Sequence, residues 1–338
     1  MSSGGIGQRR QPSRVPWAVA IGGLAALGVV VGLASNTGLL QSVGARIGQA
    51  AWLLPALVGL HLGQLWLSGW GWRALFREPV AGLGAFHRLR IIREGIDSLL
   101  PVAQVGGEIV GARLLARLGV PPARAGASVV VDVTVELLTQ IAFLAAGLCL
   151  LARFSDASAW RTWAGVLLAA AGLGGAVVAL QRWGALRLLD GLLRGMVRRW
   201  PRLAITALGA ASLDGIHAEA MGFYRDRTAL GRSAVLHFIS WALGGIETWA
   251  VLHALGVPVS PPDALIVESL GMAARSAGFA IPAALGAQEG GFVLAGAAIG
   301  VAAGPALALS LVKRLREIIV GGIGLALWRM ATRRDAWR

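Results

Sequence analysis

The residues best placed to do chemistry are charged side chains inside apolar segments. An ionisable group there costs about 2.5–3.5 kcal/mol on insertion scales and usually marks a site or a pathway. Asp132 and Glu136 stand four residues apart in one apolar run, which puts both carboxylates on one helix face. Lys313, Arg316 and Glu317 share a face of another run. These five are candidates for gating or proton coupling. The competing reading is structural, a buried ion pair of Glu136 or Glu317 with an arginine, and the sequence leaves both open.

A second set surrounds two breaks rich in proline and glycine. The first break carries Arg90, Arg93, Glu94, Pro101, Gly106, Gly107 and Glu108; the second carries Arg275, Pro282, Gln288, Glu289, Gly290 and Gly291. Glu108 and Glu289 fall at the start of short helical segments, where free backbone N–H groups and the helix dipole favour an anion. The glycines would let a ligand approach the backbone, and the arginines could grip a phosphate with two parallel bonds. This is the candidate lipid- or substrate-binding set. Against it stand two plainer roles: the glutamates cap their own helices, and the arginines snorkel to the interface. Glu247 and Glu268 are lone acids with weaker claims.

No catalytic residue set emerges. The chain has no Walker loop, no GxSxG and no paired-acid motif, and its five histidines lack metal-ligand spacing. The expectation is therefore no cofactor, no metal and no enzymatic activity. The single cysteine, Cys149, excludes a disulfide framework and reads as a buried inert thiol.

The elements that must position these residues follow from composition. With 56% apolar residues and a mean hydropathy of +0.68 over 338 residues, the chain is an all-α polytopic membrane protein. About 20 apolar residues cross the hydrocarbon core, and six segments meet that length, at 17–35, 50–72, 125–152, 161–181, 233–257 and 306–328. Residues 83–122 and 262–304 are apolar but broken by Pro and Gly into halves too short to cross. They read as two re-entrant helical hairpins, whose broken backbone survives at membrane depth only under cover of protein or a water-filled cavity. The net charge of +14 is sorted by loop, which argues for anionic lipid rather than nucleic acid as its partner. Basic and basic-poor loops alternate, with nine arginines from Arg182 to Arg232 and only Arg275 between the fifth and sixth spans. Both termini are then cytoplasmic. The basic connector 182–232 contains a stretch, 185–199, with the pattern of an amphipathic surface helix.

The chain also matches itself at an offset of 181. Pro101 meets Pro282, Glu108 meets Glu289, Gly119 meets Gly300, Asp132 meets Lys313 and Glu136 meets Glu317, without a gap. The same broken hairpin precedes the same span in both copies, giving repeat halves of about 83–152 and 262–330. Three spans separate them, so the second copy is inverted, an arrangement used by transporters whose broken helices meet near the midplane.

The run from Arg93 to Glu108, with REG, a proline and GGE, resembles the flippase-like family named after the lysylphosphatidylglycerol synthase transmembrane region. So does the second half from Glu268 through Pro282 to GAQEGG at 286–291. The resemblance covers about 15–330, and the length is similar to that of stand-alone members, including the hopanoid-biosynthesis-associated type. It implies a lipid flippase or transporter acting on a hopanoid or an anionic phospholipid. A membrane-embedded lipid-modifying enzyme or a scaffold of a lipid-synthesis complex stays open beside it. Lysyl transfer is not implied, because the chain lacks the soluble domain that performs it. Partners implied are membrane lipids, with a homo-oligomer or lipid-synthesis proteins left open.

Overall fold

The structure, a computed structural model, describes residues 37–78, 80–100, 106–152, 157–182, 213–278 and 281–332. The expected first span at 17–35, the amphipathic stretch at 185–199, Pro101 and both termini lie outside the described residues. Among the described residues every regular element is helical. In chain order these are α1 (Thr37–Ala50), α2 (Leu54–Ala74), α3 (Leu83–Leu99), α4 (Gly106–Arg117), α5 (Pro122–Leu151) and α6 (Ala157–Arg182). They continue with α7 (Leu213–Arg225), α8 (Arg227–Ala254), α9 (Pro261–Ala277), α10 (Ala287–Ala297) and α11 (Ala303–Thr332).

The boundaries follow local chemistry. Proline, harmless in a first turn because its N–H would go unpaired there anyway, opens α5 at Pro122 and α9 at Pro261. Ser260 and Asp263 close a reciprocal capping box on α9: the Asp263 N–H donates to Ser260 Oγ and the Ser260 N–H to Asp263 Oδ2. Just past α4 and α10, Gly119 (φ +96°) and Gly300 (φ +80°) adopt the left-handed conformation that glycine takes without steric cost.

Five of the six expected spans fall on described helices. Three of these helical stretches are long and apolar enough to cross a membrane: Gly44–Ala74, Pro122–Leu151 and Arg227–Ala254, with 31, 30 and 28 residues. In α6 the apolar stretch is the shorter Leu167–Gln181. Helix α11 has the length, 30 residues, but Lys313, Arg314, Arg316 and Glu317 interrupt its middle. The two broken segments form α3–α4 and α9–α10. Their halves have 17 and 12 residues, then 17 and 11, so the longer halves rise only about 25 Å.

Helix boundaries recur at the offset of 181. Helix α5 (122–151) and α11 (303–332) correspond end to end, and α4 and α10 begin at 106 and 287. Packing is reciprocal as well. Helix α3 lies along α11 and α9 along α5, so each hairpin packs on the long helix of the other half, while α2 and α8 pair with each other. One apolar core, around Trp72, Phe86, Leu115 and Ile216, joins α2–α5 to α7. A second, around Val251, Phe292 and Leu309, joins α1 and α2 to α8–α11.

Within the 182–232 connector, α7 packs on α5 through Ile216, Ala220 and Phe223. Trp72 is fully buried and donates its indole N–H to Ser128 Oγ at 3.1 Å. One expectation is corrected: Cys149 is exposed rather than buried.

Between α7 and α8, Asp226 Oδ1 accepts the Ala229 N–H at 3.1 Å, and Arg77 Nε donates to Asp226 Oδ2 at 2.5 Å. The Arg77 hydrogen bond, then the backbone N–H, hold this carboxyl below the ordinary aspartate value of 3.8. A depressed carboxyl contributes its stabilisation above the unfolded value and loses it as pH falls through the folded one. Amide protection in the first turn of α8 is therefore expected to persist below pH 3.8 and to fail at higher pH in Arg77→Ala; identical onsets in the two proteins would refute this.

Candidate functional site

The intramembrane charges gather into two centres, one per half. In the first, Asp132 on α5 is fully buried and is the hub. Its Oδ2 accepts from Arg93 Nη1 at 2.8 Å and Arg90 Nη1 at 3.2 Å, both from α3, and its Oδ1 accepts from His237 Nε2 of α8 at 3.0 Å. Arg90 also forks onto Glu136, with Nη2–Oε1 2.8 Å and Nη1–Oε2 3.1 Å. Arg93 pairs with Glu108 and lies 4.9 Å above the Trp72 ring centroid, a cation–π contact that supports the guanidinium away from water. The helical repeat makes this arrangement available: Arg90, Arg93 and Asp97 lie three and then four residues apart on α3, hence on one face.

In the second centre the sign at the hub is reversed. Lys313 on α11, the offset partner of Asp132, lies 3.2 Å from Glu247 Oε2 and 2.9 Å from Glu268 Oε2. Arg316 pairs with Glu247, and Thr248 Oγ1 donates to Glu268 at 2.6 Å. Arg275 on α9 pairs with Glu317 and donates to Gln288 Oε1 at 3.0 Å. Arg314 bridges Glu289 (2.8 Å) and Glu317 (3.3 Å), and its Nη1 donates to the Ala283 carbonyl at 2.6 Å. That carbonyl belongs to the turn at Pro282, where Ala283 and Ala284 hold φ of 52° and 50°, a left-handed pair that costs energy in non-glycine residues.

The starts of both half-helices already hold carboxylates from the chain itself. The Gly107 N–H donates to Asp97 Oδ1 at 2.8 Å and the Gly286 N–H to Glu289 Oε2 at 2.7 Å. The glycines admit neighbouring helices: a Cβ on Gly107 would collide with Asp97 and the Arg93 carbonyl, and one on Gly291 with Ala274 and Gly271. Around Gly290 there is open space, and Gly106 is half-buried.

Where the hairpins meet lies a polar cavity of about 150 Å³. The first half supplies Arg90, Arg93, Glu94, Asp97, Ser98, Glu108 and Glu136 to its wall, and the second supplies Arg275. An apolar groove of about 790 Å³ runs beside it between α5, α6, α9 and α10, lined by residues such as Leu144, Leu173, Leu270 and Leu294. Gln140 and Ser276 stand on the groove's wall, hydrogen-bonded to each other at 2.6 Å. Gln140 follows Glu136 by one helical turn and Ser276 follows Arg275, so cavity and groove are neighbours.

Residues 17–324 match the family described as Lysylphosphatidylglycerol synthase TM region. The chain belongs to this family. It is accordingly a membrane protein, as its apolar helices require. No curated relative and no solved structure matches the chain.

Within this family member, the structure brings the sequence candidates together as two networks. Arg90, Arg93, Glu108, Asp132 and Glu136 form one; Arg275, Gln288, Glu289 and Glu317, with Lys313 and Arg316, form the other. Glu94 faces the cavity between them, its carboxylate 3.7 Å from His61 Nε2. Arg314, Asp97 and His237 carried no such role in the sequence, and Glu247 and Glu268 stood there only as lone acids. Arg314 and Asp97 were readable as helix neighbours of Glu317 and Arg93, at three and four residues. Glu247 and His237 were not, because their partners lie 66 and 105 residues away.

Proposed function

We propose that this chain is a lipid flippase or transporter that binds a headgroup in the polar cavity and keeps the lipid's tails in the apolar groove. The observation that carries the reading is the juxtaposition itself: a cavity walled by both broken hairpins, opening beside an apolar groove, in a protein built to lie in lipid. A headgroup needs polar partners inside the bilayer and its tails need none, and these two spaces divide that task. The halves form an inverted repeat, with both termini on the cytoplasmic side of a bacterial inner membrane, and rocking of one half against the other would change the side of access. The end-to-end correspondence of α5 with α11 and the reciprocal packing of the hairpins support this. No nucleotide-binding motif is present, so the drive is an ion gradient, a partner or lipid supply, with Glu136 and Glu317 as the residues that would couple to it.

The test is movement of fluorescent lipids in proteoliposomes, read by quenching from the outer leaflet. Wild-type protein is expected to speed movement well above the protein-free rate. Ala273→Trp, which fills the groove, is expected to slow it about tenfold while the melting temperature stays within a few degrees; Glu108→Gln, which removes a cavity charge paired with the buried Arg93, is expected to slow it similarly and to lower the melting temperature as well. A wild-type rate equal to that of empty vesicles would overturn the proposal.

A further inference from the structure

The two features that suggested an anion site in the sequence are both neutralised within the fold. Each guanidinium at the cavity already holds carboxylates: Arg90 holds Asp132 and Glu136, Arg93 holds Asp132 and Glu108, and Arg275 holds Glu317. Each half-helix start is likewise taken, by Asp97 and by Glu289. What remains open is mostly carboxylate. The side chains of Glu94, Glu108 and Glu136 are 25%, 24% and 26% exposed, against 8%, 3% and 15% for Arg90, Arg93 and Arg275. Asp97 and Ser98 complete the same wall.

A phosphate entering this space would face four carboxylates at low dielectric beside three guanidiniums whose charge is already balanced by carboxylates of the chain. A group carrying O–H or N–H donors meets the opposite situation: each exposed carboxylate has spare lone pairs and accepts it without breaking an ion pair. We infer that the cavity selects a lipid headgroup that presents hydrogen-bond donors, hydroxyl or ammonium, and excludes one whose contacting group is a phosphate anion. This rests on the lipid-binding reading above and names the headgroup chemistry that reading leaves open.

The experiment measures binding to the purified full-length protein in detergent, by native mass spectrometry, for three lipids each carrying two eighteen-carbon chains: monoglucosyl distearoylglycerol, dioctadecylamine and distearoyl phosphatidic acid. The glucosyl lipid, the amine or both are expected to bind at least about tenfold tighter than phosphatidic acid; which of the two leads tells hydroxyl from ammonium. Asp97→Asn keeps an oxygen for the Gly107 N–H but removes one charge, and is expected to narrow the preference by raising phosphatidic acid binding. Phosphatidic acid binding as well as or better than both others would overturn the inference and leave the lipid reading intact. If none of the three binds, free glucose, ethylammonium and phosphate are compared by thermal shift. Stabilisation by glucose or ethylammonium but not phosphate would uphold the donor preference and sink the lipid reading; any other pattern would sink both.

Discussion

Asp132→Ala is expected to lose about 3–5 kcal/mol of stability, the scale seen when one partner is removed from a buried charge network. The hub of the first centre carries no solvent exposure, and its two oxygens serve Arg90, Arg93 and His237. Without it Arg93 keeps only Glu108 and Arg90 only Glu136, while both guanidiniums stay buried. Leaving the membrane is not an escape for them, because α3 is packed against α2, α4 and α11. Asp132→Asn separates charge from shape: it keeps an acceptor but not the counter-charge, and is expected to fall between wild type and alanine. Converting Asp132 and Arg93 together to leucine and methionine is expected to recover part of the loss, because an apolar pair needs no counter-charge. The measurement is thermal melting in detergent by monodisperse gel filtration. A shift for Asp132→Ala no larger than that of an exposed control such as Arg77→Ala would refute the hub assignment. Lys313→Met, the corresponding change in the second centre, is expected to cost less, since Arg316 still holds Glu247 and Thr248 still donates to Glu268.

Much of this molecule was legible in its residue order, for a definite reason. Helix ends are decided by neighbours in sequence. Pro122, Pro261, Gly119 and Gly300 act where they stand, so the broken hairpins and the correspondence of 122–151 with 303–332 could be read locally. The charged faces could be read too: Asp132 with Glu136, and Lys313 with Glu317, are one helical turn apart. What could not be read is which charge meets which. Arg90 reaches Glu136 across 46 residues, Arg275 reaches Glu317 across 42 and Arg316 reaches Glu247 across 69. Those pairings depend on how α3 meets α5 and how α8 and α9 meet α11, and periodicity within one helix carries no information on that. The same gap explains Trp72. Its position near the end of an apolar run suits an interfacial residue, and only the arrival of Phe86 and Arg93 from the next helix turns it into core. It also explains Asp97, whose partner, the Gly107 amide, sits across the break on the following half-helix.

The crossing of α3 on α11 depends on glycine, and a paired substitution on α11 is expected to expose this with opposite signs. Gly95 and Gly324 face each other at the contact: a Cβ on Gly95 would sit 3.0 Å from Gly324 Cα and strike the Gly321 carbonyl, and one on Gly324 would sit 3.0 Å from Gly95 Cα and strike the Ile91 carbonyl. These neighbours are backbone, so no rotamer change relieves the overlap; the helices must separate. Close approach through small residues is how helices adhere in lipid, where no hydrophobic force draws them together. Gly324→Ala is therefore expected to cost about 3 kcal/mol, the upper range for overpacking. Gly322, two residues away, has nothing within 4 Å of its would-be Cβ. Gly322→Ala is expected to gain about 0.5–1 kcal/mol, since alanine loses less conformational freedom than glycine in a helix. The two proteins differ by the position of one methyl group, so composition and helix propensity cancel in the comparison. Equal melting temperatures would refute the close contact. The functional stake is larger than the stability change. Helix α3 delivers Arg90, Arg93 and Asp97 to the cavity, and α11 delivers Glu317, which holds Arg275 in its wall. Separating the two helices displaces both halves of the cavity at once, so Gly324→Ala is expected to abolish the proposed lipid movement even at temperatures where the protein remains folded.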